Sequence, residues 1–244
     1  MNTMNHGLIN ELSFHSELLD ETFPLLVYLP EEYIPMQSYH LVLASDGKDY
    51  VQYGRIGTVL QQQMDEGKIE DAIYVGIPYV DKYHRRELYH PEGSRQSAYI
   101  DMIALELLPF LHEQFSLTEE RDERILMGDS LAGTVSLMTA ARYPHLFSKV
   151  IMHSPLVNDT VLQTAEQLIA SDEPFSLYHV IGDQETAVRT TSDGIRDFLQ
   201  PNRALRDALQ QHTHFYFYDE FEGNHTWKYW QRDVPRAIET IFNN

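Results

Sequence analysis

The 244-residue chain contains no cysteine. That absence excludes disulfide staples, a thiolate nucleophile and thiolate metal sites, and it leaves the compartment open. Basic side chains are scarce: 18 Lys and Arg stand against 37 Asp and Glu, a formal net charge of −19. So acidic a chain offers no broad basic face for nucleic acid or an anionic membrane surface. Long apolar runs are missing too. None approaches the ~18 residues of a membrane span, and residues 1–7 lack the basic segment and apolar core of a signal peptide. The expectation is a cytoplasmic protein with neither nucleic acid nor membrane as partner. Hydrophobic content of 43% and charged content of 23% are ordinary. No break in composition divides the chain, so one domain over 1–244 is expected.

What is present is an alternation of short apolar runs and helix-like stretches. Residues 8–19 and 23–29 read as two antiparallel strands around a turn at Asp20, Glu21 and Thr22. Further strands are expected at His40–Ala44, Ala72–Ile77, 124–128, Lys149–His153, Ser176–Ile181 and His214–Tyr218. Helices are expected at 54–65, 97–115, from the fifth strand to about Tyr143, at 159–170, at 193–211 with a possible break at Pro201, and at 227–242. Tyr79 to Gln96 reads as a polar loop. This pattern predicts an α/β fold: a mostly parallel eight-stranded sheet, an antiparallel hairpin at its N-terminal edge, and helices on both faces.

The rest is organised around Arg124–Met138. There the run Ile125, Leu126, Met127 meets Gly128-Asp129-Ser130-Leu131-Ala132-Gly133 and passes directly into helix. Strand, sharp turn and helix with a serine at the corner is the arrangement of a nucleophile elbow, G-x-S-x-G. Its tight turn needs small residues at the positions of Gly128 and Ala132. In open parallel sheets, sites lie beyond the carboxyl ends of the strands. The loops after the seventh and eighth strands carry Asp183 and Glu185, then His225. Serine, acid and histidine in that chain order match the serine hydrolases of this class. Ser130 is the expected nucleophile and His225 its base, with either Glu185 or Asp183 fixing the imidazole tautomer. The Leu131 N–H and the Lys48 N–H, in the loop after the third strand, are the expected oxyanion donors.

These residues resemble the putative esterase family of α/β-hydrolases, which includes enterochelin-type siderophore esterases and esterase D-like enzymes. The landmarks are Asp46-Gly47, Arg86-Glu87-Leu88, Glu106-Leu107-Leu108-Pro109-Phe110, the elbow, and Gly223-Asn224-His225 with Trp227 and Trp230 following. The last group is most similar to the enterochelin-esterase branch. In the family the acid stands three residues after the glycine ending the seventh strand, which here is Glu185. Its oxyanion donors map onto Lys48 and Leu131. Ala132 stands where the commoner elbow has glycine, and Asn224 where glycine is frequent.

The resemblance implies a cofactor-free serine carboxylic ester hydrolase with an acyl-enzyme. Its small ester substrate would be a siderophore-type trilactone or a small acyl or carbohydrate ester. The alternatives are an acyltransferase using the same residues, or a catalytically silent binding protein of the same fold. Other features read more plainly. His153 and Ser154 are expected to be structural, Arg85 and Arg86 to lie on a solvated loop, and Trp227 and Trp230 to pack the last helix. Asp129 would favour its helix N-terminus. His212 and His214 lack a third ligand, so no metal site is expected. Gly54 to Gly57 reads as a loop entering a helix.

Overall fold

The computed structural model describes residues 4–171, 173–210 and 214–244. In chain order its elements are β1 Ile9–Ser16, β2 Glu21–Tyr28, β3 His40–Ser45, α1 Gly47–Gln52, α2 Ile56–Asp65, β4 Ala72–Ile77 and α3 Lys82–Tyr89. Then follow α4 Gln96–Met102, a π-helical turn Ile103–Leu107, α5 Leu108–Gln114, β5 Arg124–Asp129, α6 Leu131–Arg142, β6 Lys149–His153 and α7 Asp159–Ala170. The last third holds β7 Ser176–Gly182, β8 Val188–Arg189, β9 Ile195–Arg196, α8 Leu199–Leu209, β10 Phe215–Phe221 and α9 Trp227–Phe242.

Eight strands form one sheet in the order β1-β2-β4-β3-β5-β6-β7-β10. β1 and β2 pair antiparallel, β2 meets β4 antiparallel, and the pairs from β4 to β10 are parallel. This is the expected α/β-hydrolase architecture. The central strands are apolar on both faces because helices cover both. Leu41, Leu43, Leu126, Val150 and Met152 face α4, α5, α6 and α7. Their neighbours Val42, Ala44, Ile125, Met127 and Ile151 face α1, α2 and α9. Side chains alternate faces along a strand, so one short apolar run supplies both layers of core.

Four local readings need correction. The first hairpin turns at 17–20, with Asp20 in the left-handed region, so Glu21 and Thr22 already belong to β2. Inside the stretch read as a polar loop lies α3, started by Asp81, whose side chain accepts from the Tyr83 and His84 amides. Such capping satisfies two first-turn donors and can begin a helix with little apolar periodicity. The helix expected over 193–211 begins only at Leu199, after the small β8–β9 hairpin. Pro201 does not break it. It falls in the first turn of α8, where a missing N–H leaves no bond unmade. His214 precedes β10, and His212 lies outside the described residues. Gly54–Gly57 does lead into α2 as read.

Candidate active site

At the carboxyl end of β5 the chain turns sharply through Ser130. Its φ of 53° and ψ of −124° fall outside the ordinary basins of a non-glycine residue. Neighbouring structure holds that conformation. The Ser130 amide donates to the His153 carbonyl at 2.8 Å, and the Thr134 hydroxyl donates to the Leu156 carbonyl at 2.7 Å. Glycine is obligatory at 128, since a Cβ there would sit 2.2 Å from the Ala132 carbonyl carbon. Ala132 itself is fully buried at the start of α6, and its methyl fits.

Three side chains from three loops meet above this turn. His225 Nε2 lies 2.9 Å from Ser130 Oγ, and His225 Nδ1 lies 2.6 Å from Glu185 Oε2. Glu185 is 1% exposed, so its oxygens are satisfied by protein hydrogen bonds rather than by water. The Gly182 amide donates to its other oxygen at 2.9 Å, and the Ser154 hydroxyl donates to the same atom at 2.7 Å. The Trp230 indole N–H donates to Ser154 Oγ at 3.0 Å. Trp230 also presents its ring edge-on to His225, as does Phe198 on the imidazole's other contact. Ser154 and Trp230 thus do more than pack: they anchor the carboxylate and hem in the imidazole. Trp227 and Trp230 both line the cavity in front of Ser130.

Asp183, the other acid of the same loop, faces elsewhere. Its Oδ1 accepts from the Gly223 amide at 3.0 Å, while its own amide donates to the Phe221 carbonyl and that of Gln184 to Gly223. These bonds zip the acid loop to the histidine loop. Gly182 and Gly223 are close enough that a Cβ on Gly182 would lie 2.5 Å from the Gly223 carbonyl oxygen.

Of the two residues read as oxyanion donors, Leu131 lines the Ser130 cavity. Lys48 stands in the first turn of α1 between cavity-lining Asp46 and Asp49, but it lines a separate hollow with Pro78 and Val80. Asp46 has left-handed backbone and is 1% exposed. Arg85 Nε lies 2.8 Å from both of its carboxylate oxygens, and Arg85 Nη2 donates to the Asp129 carbonyl at 3.1 Å. One guanidinium from α3 therefore clamps the β3 loop to the elbow. Burial opposes its charge, yet the bound Asp46 carboxylate outweighs that and raises the arginine's pKa. Arg85 is therefore not the solvated loop residue expected: it is bound to Asp46 and lines the cavity. Arg86 bonds Ser192 and stands 3.6 Å from Asp193, so it ties α3 to the β8–β9 turn.

The cavity has a volume of about 320 Å³, at the small end of the range for ligand sites. Its outer wall is the polar turn Thr190–Asp193, with Lys82, Arg86 and Arg189 at the rim. Sequence reading missed α3 and this hairpin. Their signals were the Asp81 cap and the turn residues Asp193-Gly194, where Gly194 has φ of 74°. Among the described residues no group of His, Asp and Glu is arranged to hold a metal, and no helix is long and apolar enough to cross a membrane.

The model of the family described as Putative esterase matches residues 16–241. The chain belongs to that family. At that level it is a carboxylic ester hydrolase. It is 43% identical to the Bacillus subtilis protein YjcH over 97% of this chain and 98% of that one. It is 19% identical to an acetyl esterase of Caldicellulosiruptor saccharolyticus, over 95% of this chain and 97% of the relative. Its fold superposes on the ferric enterobactin esterase of Salmonella typhimurium with a TM-score of 0.81 at 17% identity. That match covers 99% of this chain and 60% of the enterobactin esterase, so the chain spans under two thirds of that enzyme's length.

Proposed function

We propose that the protein is a serine esterase that works through an acyl-enzyme on a small ester, without a cofactor. The observation that carries this reading is the unbroken path from Ser130 Oγ through His225 to Glu185 at the floor of an open cavity. Glu185 accepts from Nδ1–H and so keeps Nε2 free to receive the serine proton. Ser130 Oγ bonds to the ester carbonyl carbon, and His225 takes the hydroxyl proton. The tetrahedral intermediate's oxygen is held by the Leu131 N–H at the start of α6 and by the Lys48 N–H at the start of α1. Collapse breaks the bond to the alcohol, which leaves with the proton from His225. Water then repeats the sequence on the acyl-enzyme.

The substrate reading is a compact acyl group beside Ser130, with an oxygen-rich remainder against the Thr190–Asp193 rim. Siderophore-type trilactones and small acyl or carbohydrate esters both satisfy it, and enterobactin and acetyl esterases among the similar proteins support the pair. Rapid mixing with p-nitrophenyl acetate and butyrate tests the mechanism. The expected trace is a burst of nitrophenol, one equivalent per Ser130, followed by slower turnover. A trilactone added to the same assay should compete. Turnover that survives in Ser130→Ala would end this reading.

A further inference from the structure

Asp129, the residue before the nucleophile, is a buried acid that the steps above leave unused. It is 4% exposed, yet it lines the Ser130 cavity. Among the described residues nothing hydrogen-bonds to its Oδ1. A carboxylate with one buried oxygen left without a donor would be costly in such a place, whereas a protonated carboxyl is tolerated and gains a donor of its own. Its surroundings point the same way. Asp46 faces it from the turn after β3, Asp49 and Tyr50 from α1, Tyr74 from β4 and Arg85 from α3, with Ser130 and His225 across the cavity. Arg85 is committed to Asp46 and to the Asp129 main-chain carbonyl. Burial first, then the Asp46 charge, pushes the Asp129 carboxyl well above the usual carboxylate range, against the pull of Arg85.

We propose that Asp129 stands in the cavity as a neutral carboxylic acid whose O–H donates a hydrogen bond to an oxygen in the acyl part of the bound ester. The acyl group is the half that becomes bonded to Ser130, so it lies closest to the side chain next to the nucleophile. The enzyme would accordingly favour acyl groups bearing an ether, hydroxyl or carbonyl oxygen near the scissile carbonyl over plain alkyl chains. This rests on the serine-esterase reading. It assigns specificity to one residue and adds no chemical step.

The test pairs p-nitrophenyl methoxyacetate with p-nitrophenyl butyrate, which differ by an oxygen in place of a methylene. The ratio of their kcat/KM values is compared among wild type, Asp129→Leu and Asp129→Asn. Intrinsic reactivity cancels in that comparison. One lost neutral hydrogen bond corresponds to about tenfold. Leu is expected to lower the methoxyacetate-to-butyrate ratio by about tenfold, and Asn, which keeps a donor, to recover most of it. Asp129→Ala gives the same comparison if the larger Leu prevents folding. Infrared difference spectra of wild type against Asp129→Asn at neutral pH should show the carbonyl band of a protonated carboxyl.

A carboxylate band instead, or an identical ratio in all variants, would overturn the proposal. So would an Asn variant that behaves like Leu. Failure of the parent reading looks different: wild type would show no acyl burst and no Ser130 labelling by a fluorophosphonate, whatever stands at 129.

Discussion

Two of the molecule's histidine–carboxylate pairs, one in the loops beyond β7 and β10 and one between β6 and α9, have opposite fates. His225 and Glu185 are 2.6 Å apart, with the imidazole's other nitrogen 2.9 Å from Ser130 Oγ. His153 and Asp233 are 3.2 Å apart, with the other nitrogen 2.9 Å from the Tyr50 hydroxyl. The chemistry of the two pairs is nearly the same. What differs is access. His153 is fully buried at the end of β6, and Tyr178 and Arg236 also bond Asp233, so every partner is saturated by protein. His225 opens onto a cavity through a serine. A histidine–carboxylate pair becomes a candidate catalyst only when its third member is a nucleophile that a ligand can reach; sealed, the same pair fastens α1 and α9 to the sheet.

The difference can be broken from either side. Replacing the open pair's nucleophile or base, by Ser130→Ala or His225→Ala, is expected to lower kcat by at least ~10⁴-fold with little change in thermal stability. Glu185→Gln should cost roughly 10²–10⁴-fold through the wrong tautomer. Asp183→Ala, which removes the acceptor of the Gly223 amide, should retain the burst and lose stability instead, which separates the two acids of one loop by kinetics and melting.

At the sealed pair the balance reverses. Asp233→Ala leaves His153 and the Tyr178 hydroxyl without their buried acceptor while Arg236 keeps Asp219, and a loss of about 1–3 kcal/mol in urea unfolding is expected, with kcat changed only slightly. A third buried histidine sharpens the contrast by pH. Burial lowers the His179 pKa to about 4 from its usual 6.5, and the ring is held neutral between Tyr216 and Asn202. The unfolded chain binds that proton more readily, so stability is complete above pH ~6.5 and falls toward pH ~4, by about 3 kcal/mol in total. Urea midpoints across that range, compared with His179→Gln, measure it. The smallest effect belongs to Ser154→Ala, which removes one bond to Glu185 and the acceptor of Trp230. Roughly three- to tenfold in kcat is expected.

Much of this was legible in the chain because strand positions follow apolar periodicity, and because Gly128, Ser130, Glu185 and His225 sit at strand ends that the pattern locates. The hairpin edge, the elbow and the last helix were readable for that reason. What escaped had weak periodicity. α3 is held by a cap and by ion pairs of Arg85 and Arg86 with residues 39 and 107 positions away in sequence, Asp46 and Asp193. Such partnerships leave no local signature. The choice between Glu185 and Asp183 depended on resemblance, since two residues of one loop differ in direction by a backbone turn that composition does not encode. Ser154 reads only as structural and Trp230 only as packing because their bond to one another, and through it to Glu185, exists only once β6 and α9 are side by side.

On the proposed mechanism the open pair, not the sealed one, drives covalent chemistry at a single serine. The most direct measurement is fluorophosphonate labelling of the intact protein, with the modified residue located by peptide mass spectrometry in wild type, Ser130→Ala and Asp233→Ala. The account requires stoichiometric label on Ser130 in wild type, retained label in folded Asp233→Ala, and none in Ser130→Ala. Label on another residue, or a folded wild type that takes no label and hydrolyses no ester, would contradict it.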